Sequence, residues 1–178
     1  MQPSRKRSNV TDIITTIDRN FSNLSPELHE QSPKIRVLDK ERLAELVRKN
    51  YRKTLGLLRD LQGAKSVGVI AEHPATGITE IARPVGVVCA NTPSTNPGAT
   101  PANKIINALK GRNAVIVAPS PKGWSTAARL IEFIHAQFDR IGAPRDLVQL
   151  LPAPISKAST QELMRQCDLV VATGSQAN

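Results

Sequence analysis

The stretch that decides the fold is residues 82–122, ARPVGVVCANTPSTNPGATPANKIINALKGRNAVIVAPSPK. It predicts a strand, a loop rich in Pro, Ser, Thr and Asn, a helix that opens at Pro101, and a second strand that ends in a Pro/Ser loop. Thr100 precedes Pro101, and a hydroxyl cap followed by proline is typical of a helix start. Two polar loops would thus follow neighbouring buried strands, which in an open α/β sheet is the edge where a nucleotide or substrate binds.

Four short apolar runs lack polar alternation, which is typical of parallel strands buried on both faces. Helical segments separate them, and the clearest is 125–141, whose apolar residues step by three and four. The run 159–162, Ser-Thr-Gln-Glu, has the form of a capping box that opens a short helix. The order β-α-β-α-β-α-β predicts an α/β fold with a doubly wound parallel sheet. The predicted strands are 85–90, 114–118, 147–151 and Leu169–Ala172.

Residues 1–38 are polar, hold three prolines and show little sustained apolar periodicity. We therefore expect a loose arm that packs poorly against the rest of the chain, in which Ile13, Ile14 and Ile17 start at most a short helix. Between this arm and the deciding stretch, the pattern predicts a helix over 39–62 and two strands over 67–71 and 78–82.

Composition narrows the functional classes. The 178 residues are about the size of one domain, and 40% hydrophobic with 3% aromatic residues indicates an aliphatic core. The net charge of +9 would suit nucleic acid, but the denser basic part of residues 1–70 has only Tyr51 as a stacking aromatic, so we do not expect nucleic-acid binding. Two cysteines without metal-ligand spacing fit a reducing compartment, and no apolar run is long enough to cross a membrane. We expect a cytoplasmic protein without a metal or a membrane partner.

The loop after the first buried strand carries the chemistry. No GxGxxG motif is present, so a standard Rossmann phosphate loop is not supported. Two prolines stiffen the 92–97 loop, and its hydroxyl and amide groups are the rigid donors that an oxyanion site needs. The alternative is a turn that only links strand to helix.

The run 84–122, the Gly-Ala-Pro turn at 142–144 and the Ala-Thr-Gly-Ser turn at 172–175 resemble the aldehyde dehydrogenase superfamily. Within it they are similar to the CoA-acylating branch, which includes acetaldehyde and sulfoacetaldehyde dehydrogenases. Pro-Ser-Thr-Asn-Pro at 93–97 stands where ordinary members have Pro-Trp-Asn-Phe-Pro. The resemblance covers about residues 48–178, whereas residues 1–40 do not match the usual start of the family.

The resemblance implies that residues 39–178 form an incomplete Rossmann-like NAD(P)-binding domain and that the catalytic domain is absent. Thr95 stands at the oxyanion-hole asparagine of the family with Asn96 next to it, which makes both candidates for that role. Ala118 stands at the ribose-binding lysine, which leaves NAD and NADP both open. The cofactor-binding residues it implies are Thr92, Pro93 and Ser94 at the nicotinamide, Ser120 at the adenosine ribose, and Thr173, Gly174 and Ser175 at the pyrophosphate.

The resemblance also implies a reaction, the NAD(P)-dependent oxidation of an aldehyde to an acyl-CoA through a cysteine thioester. Its partners would be a small aldehyde and coenzyme A, and the complete enzyme would be a homo-oligomer. The nucleophile would lie past Asn178, so we expect a fragment that is inactive alone, in which Cys89 and Cys167 are small core residues. One alternative is a glutamyl-phosphate reductase-like member, which the 93–97 loop argues against. The other is a non-catalytic module, either a nucleotide-binding remnant or a basic protein that binds a partner through residues 1–60.

Overall fold

The structure, a computed structural model, describes residues 40–174, with side chains from residue 45 onward. The expectations for 1–38, including Ile13, Ile14 and Ile17, and for Ser175 lie outside the described residues. The chain divides into two units, Met1–Lys49 and Asn50–Asn178. Helix α1 (Lys40–Leu61) begins in the first unit and ends in the second, close to the predicted 39–62.

The second unit alternates strands and helices in the predicted order. No described helix is long and apolar enough to cross a membrane. After α1 the elements are β1 (Gly68–His73), β2 (Ile78–Ala82), β3 (Val87–Thr92), α2 (Ala99–Lys110), β4 (Ala114–Pro119), α3 (Trp124–Ile141), β5 (Val148–Leu150), α4 (Lys157–Gln166) and β6 (Leu169–Ala172), with short 3₁₀ turns at Pro121–Gly123 and Arg145–Leu147.

Four of the strands form one sheet in the order β5-β4-β3-β6. Every neighbouring pair in it is parallel, which confirms the predicted fold class. The strands β1 and β2 form a separate antiparallel hairpin. The two strands of the deciding stretch, β3 and β4, are therefore side by side at the centre of the sheet, where loops from both reach a shared edge.

The core lies between the sheet and helices α2 and α3. Val115, Val117 and Val148 are fully buried there, because aliphatic side chains of adjacent strands meet the apolar faces of both helices. Cys89 alternates with Val88 and Ala90 along β3 and so faces the other side of the sheet, where α4 contacts this strand. The remaining buried members of the core are Ile105, Ala108, Ala127, Ile131 and Phe138.

Strand β3 starts at Val87, not at residue 85 as predicted. Gly86 has φ +120, and its N–H and that of Val85 donate to Asn113 Oδ1 at 3.1 and 2.6 Å instead of to a neighbouring strand. Val85 is 50% exposed, so its predicted burial is wrong. The strand continues to Thr92, which places that residue inside the sheet rather than in the loop.

Two helix starts also differ from the prediction. Helix α2 begins at Ala99 with Gly98 at the N-cap and no side-chain cap, so Thr100 does not cap it, although Pro101 lies in the first turn. Helix α4 begins at Lys157, because a capping box precedes it: the Oγ of extended Ser156 accepts from the Ser159 N–H, and Ser159 Oγ accepts from the Ser156 N–H. The capping box is therefore three residues earlier than the predicted one at 159–162.

The two outer strands differ from the central pair in length and exposure. The chain before β5 turns through Arg145–Leu147, which shortens the strand from 147–151 to Val148–Leu150. Strand β6 has the predicted bounds, but all four of its residues are exposed. Among the described strands it borders β3 alone, so it lies at an edge of the sheet with its apolar side chains exposed.

Candidate functional site

Three loops leave the same end of the parallel sheet, as predicted. In the register of the sheet Thr92 lies opposite Pro119, and Asn91 lies opposite Ala172. The loops that follow are fastened by main-chain bonds: Ser120 N–H donates to Thr92 O at 2.9 Å, and Thr173 N–H donates to Asn91 O at 3.2 Å. The structure therefore brings Thr92, Ser120 and Thr173 to one edge.

Two hydroxyl groups at this edge lack a partner. Thr92 is 2% exposed, and its Oγ1 is buried without a hydrogen bond among the described residues. Ser120 Oγ is also buried without a hydrogen bond among the described residues, and so is the side-chain carbonyl of Asn103 in the first half of α2. An unsatisfied buried polar group costs about 1–3 kcal/mol. Such groups at the ligand edge of an α/β sheet suit a ligand rich in hydrogen-bonding oxygens, and a dinucleotide fits that chemistry.

The backbone at Gly123 lets two of the loops approach each other. A Cβ at this position would lie 3.2 Å from Pro97 Cβ and 3.3 Å from Ser120 Oγ. Only glycine leaves that space open without moving its neighbours. Ser94 and Thr95 at the tip of the 93–97 loop are exposed, so their side chains are available to a ligand.

The loop passes directly into α2. Asn96 is half-buried, and its carbonyl accepts from Thr100 N–H at 3.2 Å. The first turn of α2 thus begins at the edge that carries the unpartnered hydroxyl groups. The amide of Asn96 and the hydroxyl of Thr95 are the two side chains predicted as oxyanion donors.

Sequence reasoning missed one residue at this edge. Lys104 on α2 donates from Nζ to Asn91 O and to Val171 O, both at 2.6 Å. Burial lowers the pKa of this lysine, and the nearby thiol of Cys89 acts in the opposite direction. Its partners are main-chain carbonyls of two different strands, so no local sequence pattern distinguishes it from a solvated lysine.

The two cysteines do not provide a thiolate. Cys89 is fully buried, as predicted, and burial with a smaller effect of Cys167 raises its pKa to about 11, against the opposing charge of Lys104. Cys167 is half-buried at the end of α4, less enclosed than the predicted core residue. Burial and then the carboxylate of Asp168 raise its pKa. Both thiols are protonated at neutral pH.

The residues from 45 to 174 include no group of three or more His, Cys, Asp or Glu side chains that could hold a metal ion. The edge offers hydroxyl, amide and main-chain groups, with one lysine ammonium beneath them. These groups can bind and orient a ligand.

The sequence pattern that defines the aldehyde dehydrogenase family matches residues 1–178. The chain belongs to the aldehyde dehydrogenase family. The match to this family begins at residue 1, so the expectation that the resemblance starts near residue 48 is wrong.

Its relatives place this chain near the acylating branch of the family, as the sequence predicts. An acylating sulfoacetaldehyde dehydrogenase of Cupriavidus necator is 74% identical over 132 residues, which cover 74% of this chain and 27% of the relative. An acetylating aldehyde dehydrogenase structure from Geobacillus thermoglucosidasius is 30% identical with a TM-score of 0.68 and covers 75% of this chain and 30% of that one. A Rhodopseudomonas palustris propionaldehyde dehydrogenase with bound propionyl-CoA is 27% identical with a TM-score of 0.56, covering 78% of this chain and 34% of that one. The chain thus spans between a quarter and about a third of the length of these relatives.

Proposed function

We propose that this chain forms one wall of the NAD(P) site of a CoA-acylating aldehyde dehydrogenase, with residues 39–178 as a partial cofactor-binding domain. The observation that carries the proposal is the pair of buried, unpartnered hydroxyl groups of Thr92 and Ser120 at the carboxyl edge of the sheet. A ligand with ribose and phosphate oxygens would satisfy both groups and remove the cost of leaving them unpaired.

The proposed roles follow the arrangement of the three loops. The bound dinucleotide would supply the hydride acceptor, and the residues of this chain would hold it in place. Ser120 would meet the adenosine ribose, and the exposed Thr95 with Asn96 would donate to the oxygen of the reacting aldehyde. The remaining contacts would be Thr92, Pro93 and Ser94 at the nicotinamide, and Thr173, Gly174 and Ser175 at the pyrophosphate.

For the whole protein we propose oxidation of a small aldehyde to an acyl-CoA through a cysteine thioester, in the cytoplasm and in a homo-oligomer. The nucleophile would be neither Cys89 nor Cys167, because the raised pKa values of both thiols disfavour the thiolate that attacks the aldehyde. We therefore propose that the 178-residue chain alone does not turn over aldehydes.

Binding to the chain tests the cofactor site. Thr92→Val and Ser120→Ala each remove an unpartnered hydroxyl, so we expect NAD⁺ or NADP⁺ to bind five- to tenfold more weakly while the melting temperature is unchanged or higher. Isothermal titration calorimetry and thermal unfolding measure both effects. The matched control is Ser66→Ala, which removes a 2.8 Å bond to Lys110 O and should lower stability by about 1 kcal/mol without changing binding. Dinucleotide binding that is equal in the wild type and in Thr92→Val would contradict the proposal.

A second candidate function is a non-catalytic nucleotide-binding module, which the protonated state of both thiols favours. A turnover assay distinguishes this non-catalytic module from a chain that is an active enzyme by itself. The purified chain, mixed with an aldehyde, CoA and NAD⁺ or NADP⁺, should give no NAD(P)H absorbance. Activity that survives repurification and disappears in Cys89→Ala or Cys167→Ala would mean that the nucleophile lies in this chain. A longer chain of the same protein that turns over would favour the enzyme over the module.

A further inference from the structure

We infer that Lys104 is a positioning residue, which ties the carboxyl ends of β3 and β6 together and so fixes the spacing between the 93–97 loop and the turn at Thr173. Its ammonium group donates to Asn91 O in β3 and to Val171 O in β6, both at 2.6 Å. The lysine belongs to α2, so a single side chain joins three elements immediately beneath two of the three loops.

The two contacts are stronger than ordinary main-chain bonds. A charged donor makes shorter hydrogen bonds than a neutral one, and these two are at the short end of the range. Lys104 is half-buried, and its ammonium group is held between acceptors on two strands. Cys89 is the other titratable group that acts on it.

The two sides of β3 are held differently at this edge. On the β4 side the ladder runs as far as Thr92 and Pro119, and Ser120 N–H extends it with a bond to Thr92 O. On the other side, β6 is an exposed strand whose described sheet neighbour is β3 alone. There the bond from Thr173 N–H to Asn91 O is the longer one at 3.2 Å, and the lysine shares that acceptor. Loss of Lys104 should therefore loosen the β6 side and leave the β4 side intact.

This inference rests on the proposed function for its ligand. A dinucleotide would span the 93–97 loop, Ser120 and the Thr173 turn, whereas adenosine, which has no phosphate, would need only the part near Ser120. A changed spacing between β3 and β6 should weaken the dinucleotide selectively. A general loss of structure would weaken the binding of both ligands equally. The ratio of the two affinities therefore distinguishes a positioning role of Lys104 from a merely structural one.

The experiment compares Lys104→Met with Lys110→Met, a matched substitution in the last turn of the same helix. NAD⁺, NADP⁺ and adenosine are titrated into each folded chain, and amide hydrogen exchange is followed at Thr173 and Ser120. We expect Lys104→Met to weaken dinucleotide binding at least fivefold with adenosine binding unchanged, and to accelerate exchange at Thr173 at least tenfold with exchange at Ser120 unchanged. Lys104→Arg keeps the charge and should recover most of both effects, and Lys110→Met should match the wild type.

Equal weakening of NAD⁺ and adenosine binding, or equal acceleration at both amides, would overturn the inference and leave Lys104 as a general stabilising residue. An unchanged Thr173 amide would also overturn it. If Lys104→Met does not fold, Lys104→Gln replaces it in the same comparison, since glutamine is polar and similar in size to methionine. If the wild type binds none of the three ligands, the proposed function fails, and the ratio of the two amide exchange rates decides the role of Lys104 alone.

Discussion

The thiol of Cys89 couples stability to pH. Its folded pKa of about 11 is above the ordinary value of 9.0, so the folded state keeps its proton where the unfolded state loses it. The stabilisation is complete below pH 9 and is lost as the pH rises towards 11, with a slope of up to about 1.4 kcal/mol per pH unit. Cys89→Ala should cost about 1 kcal/mol at pH 7.5 and become equal to or more stable than the wild type above pH 10.

Urea unfolding of both proteins at pH 7.5, 9 and 10.5 measures this difference, and the same titrations of Cys167→Ala provide a comparison with the half-buried thiol. Curves for the wild type and Cys89→Ala that stay parallel over the whole range would show that the thiol does not titrate as described.

Gly86, which immediately precedes β3, is in a position that only glycine tolerates. Its φ of +120 strains any other residue, and a Cβ there would collide with Asp168, whose Oδ2 accepts from Val87 N–H at 2.7 Å. Gly86→Ala should therefore lower the free energy of unfolding by about 2–4 kcal/mol. The control is Gly98→Ala, where φ is −99 and the nearest atom to a Cβ is Thr126 Cγ2 at 3.9 Å, so the cost should be about 0.5 kcal/mol. Equal losses in the two variants, measured by urea unfolding, would contradict this account.

The candidate site shows how far single residues can be predicted. Thr92, Ser120 and Thr173 follow predicted strands, and parallel strands bring their ends together, so the edge was predictable from order alone. Lys104 was not predictable, because its acceptors are carbonyl groups on strands that are far apart in sequence. The missing partners of the two hydroxyl groups also follow from tertiary packing and leave no mark in the local sequence.

At the scale of elements, two glycines should respond to substitution in opposite directions. Gly142 ends α3 with φ +69 in the left-handed region, where its own N–H and that of Ala143 reach Phe138 O. Gly56 lies inside α1, with open space where a Cβ would be. Gly142→Ala should cost about 1 kcal/mol, whereas Gly56→Ala should stabilise by about 0.5–1 kcal/mol.

Thermal and urea unfolding of the two single variants and the double variant measure these effects, and the double variant should be close to the wild type because the sites are independent. A stabilising Gly142→Ala would mean that the end of α3 does not need the left-handed residue. A destabilising Gly56→Ala would mean that α1 meets a neighbour at this position.

Elements whose apolar residues repeat regularly were predicted more accurately than elements whose ends are set by side-chain hydrogen bonds. Helix α3 was predicted to within one residue, because its apolar residues repeat regularly and Gly142 stops it. The start of β3 was wrong because Asn113, 27 residues away, accepts the N–H of Gly86. The predicted start of α4 was wrong because Ser156 and Ser159 form the capping box, whereas the Ser-Thr-Gln-Glu pattern suggested one at 159–162.

At the scale of the molecule, the alternation of strands and helices predicted a parallel sheet but not the order of its strands. The order β5-β4-β3-β6 leaves the last strand on the outside, next to the first strand of the sheet. An apolar run alone cannot distinguish an outer strand from a central one, since both are rich in valine and leucine. The position of β6 next to β3 alone among the described strands gives an apolar edge.

The exposed edge of β6 should make the chain associate with itself. Leu169, Val170 and Val171 are 44%, 40% and 36% exposed, in a strand with described main-chain pairing on one side only. Unpaired strand edges with apolar side chains join other edges, and a lysine there opposes such pairing. Val170→Lys should therefore shift self-association to about tenfold higher protein concentration. Ile141→Lys is the control, because Ile141 is 43% exposed but lies at the end of helix α3.

Sedimentation velocity over a hundredfold range of protein concentration distinguishes the outcomes. The wild type and Ile141→Lys should show the same rise in mean sedimentation coefficient with concentration, whereas Val170→Lys should stay at the monomer value over most of the range. A wild type that is monomeric throughout would mean that the edge of β6 is protected. Equal effects of the two lysines would mean that added charge, and not the strand edge, controls the association, because only Val170 lies on a strand with a free edge among the described strands.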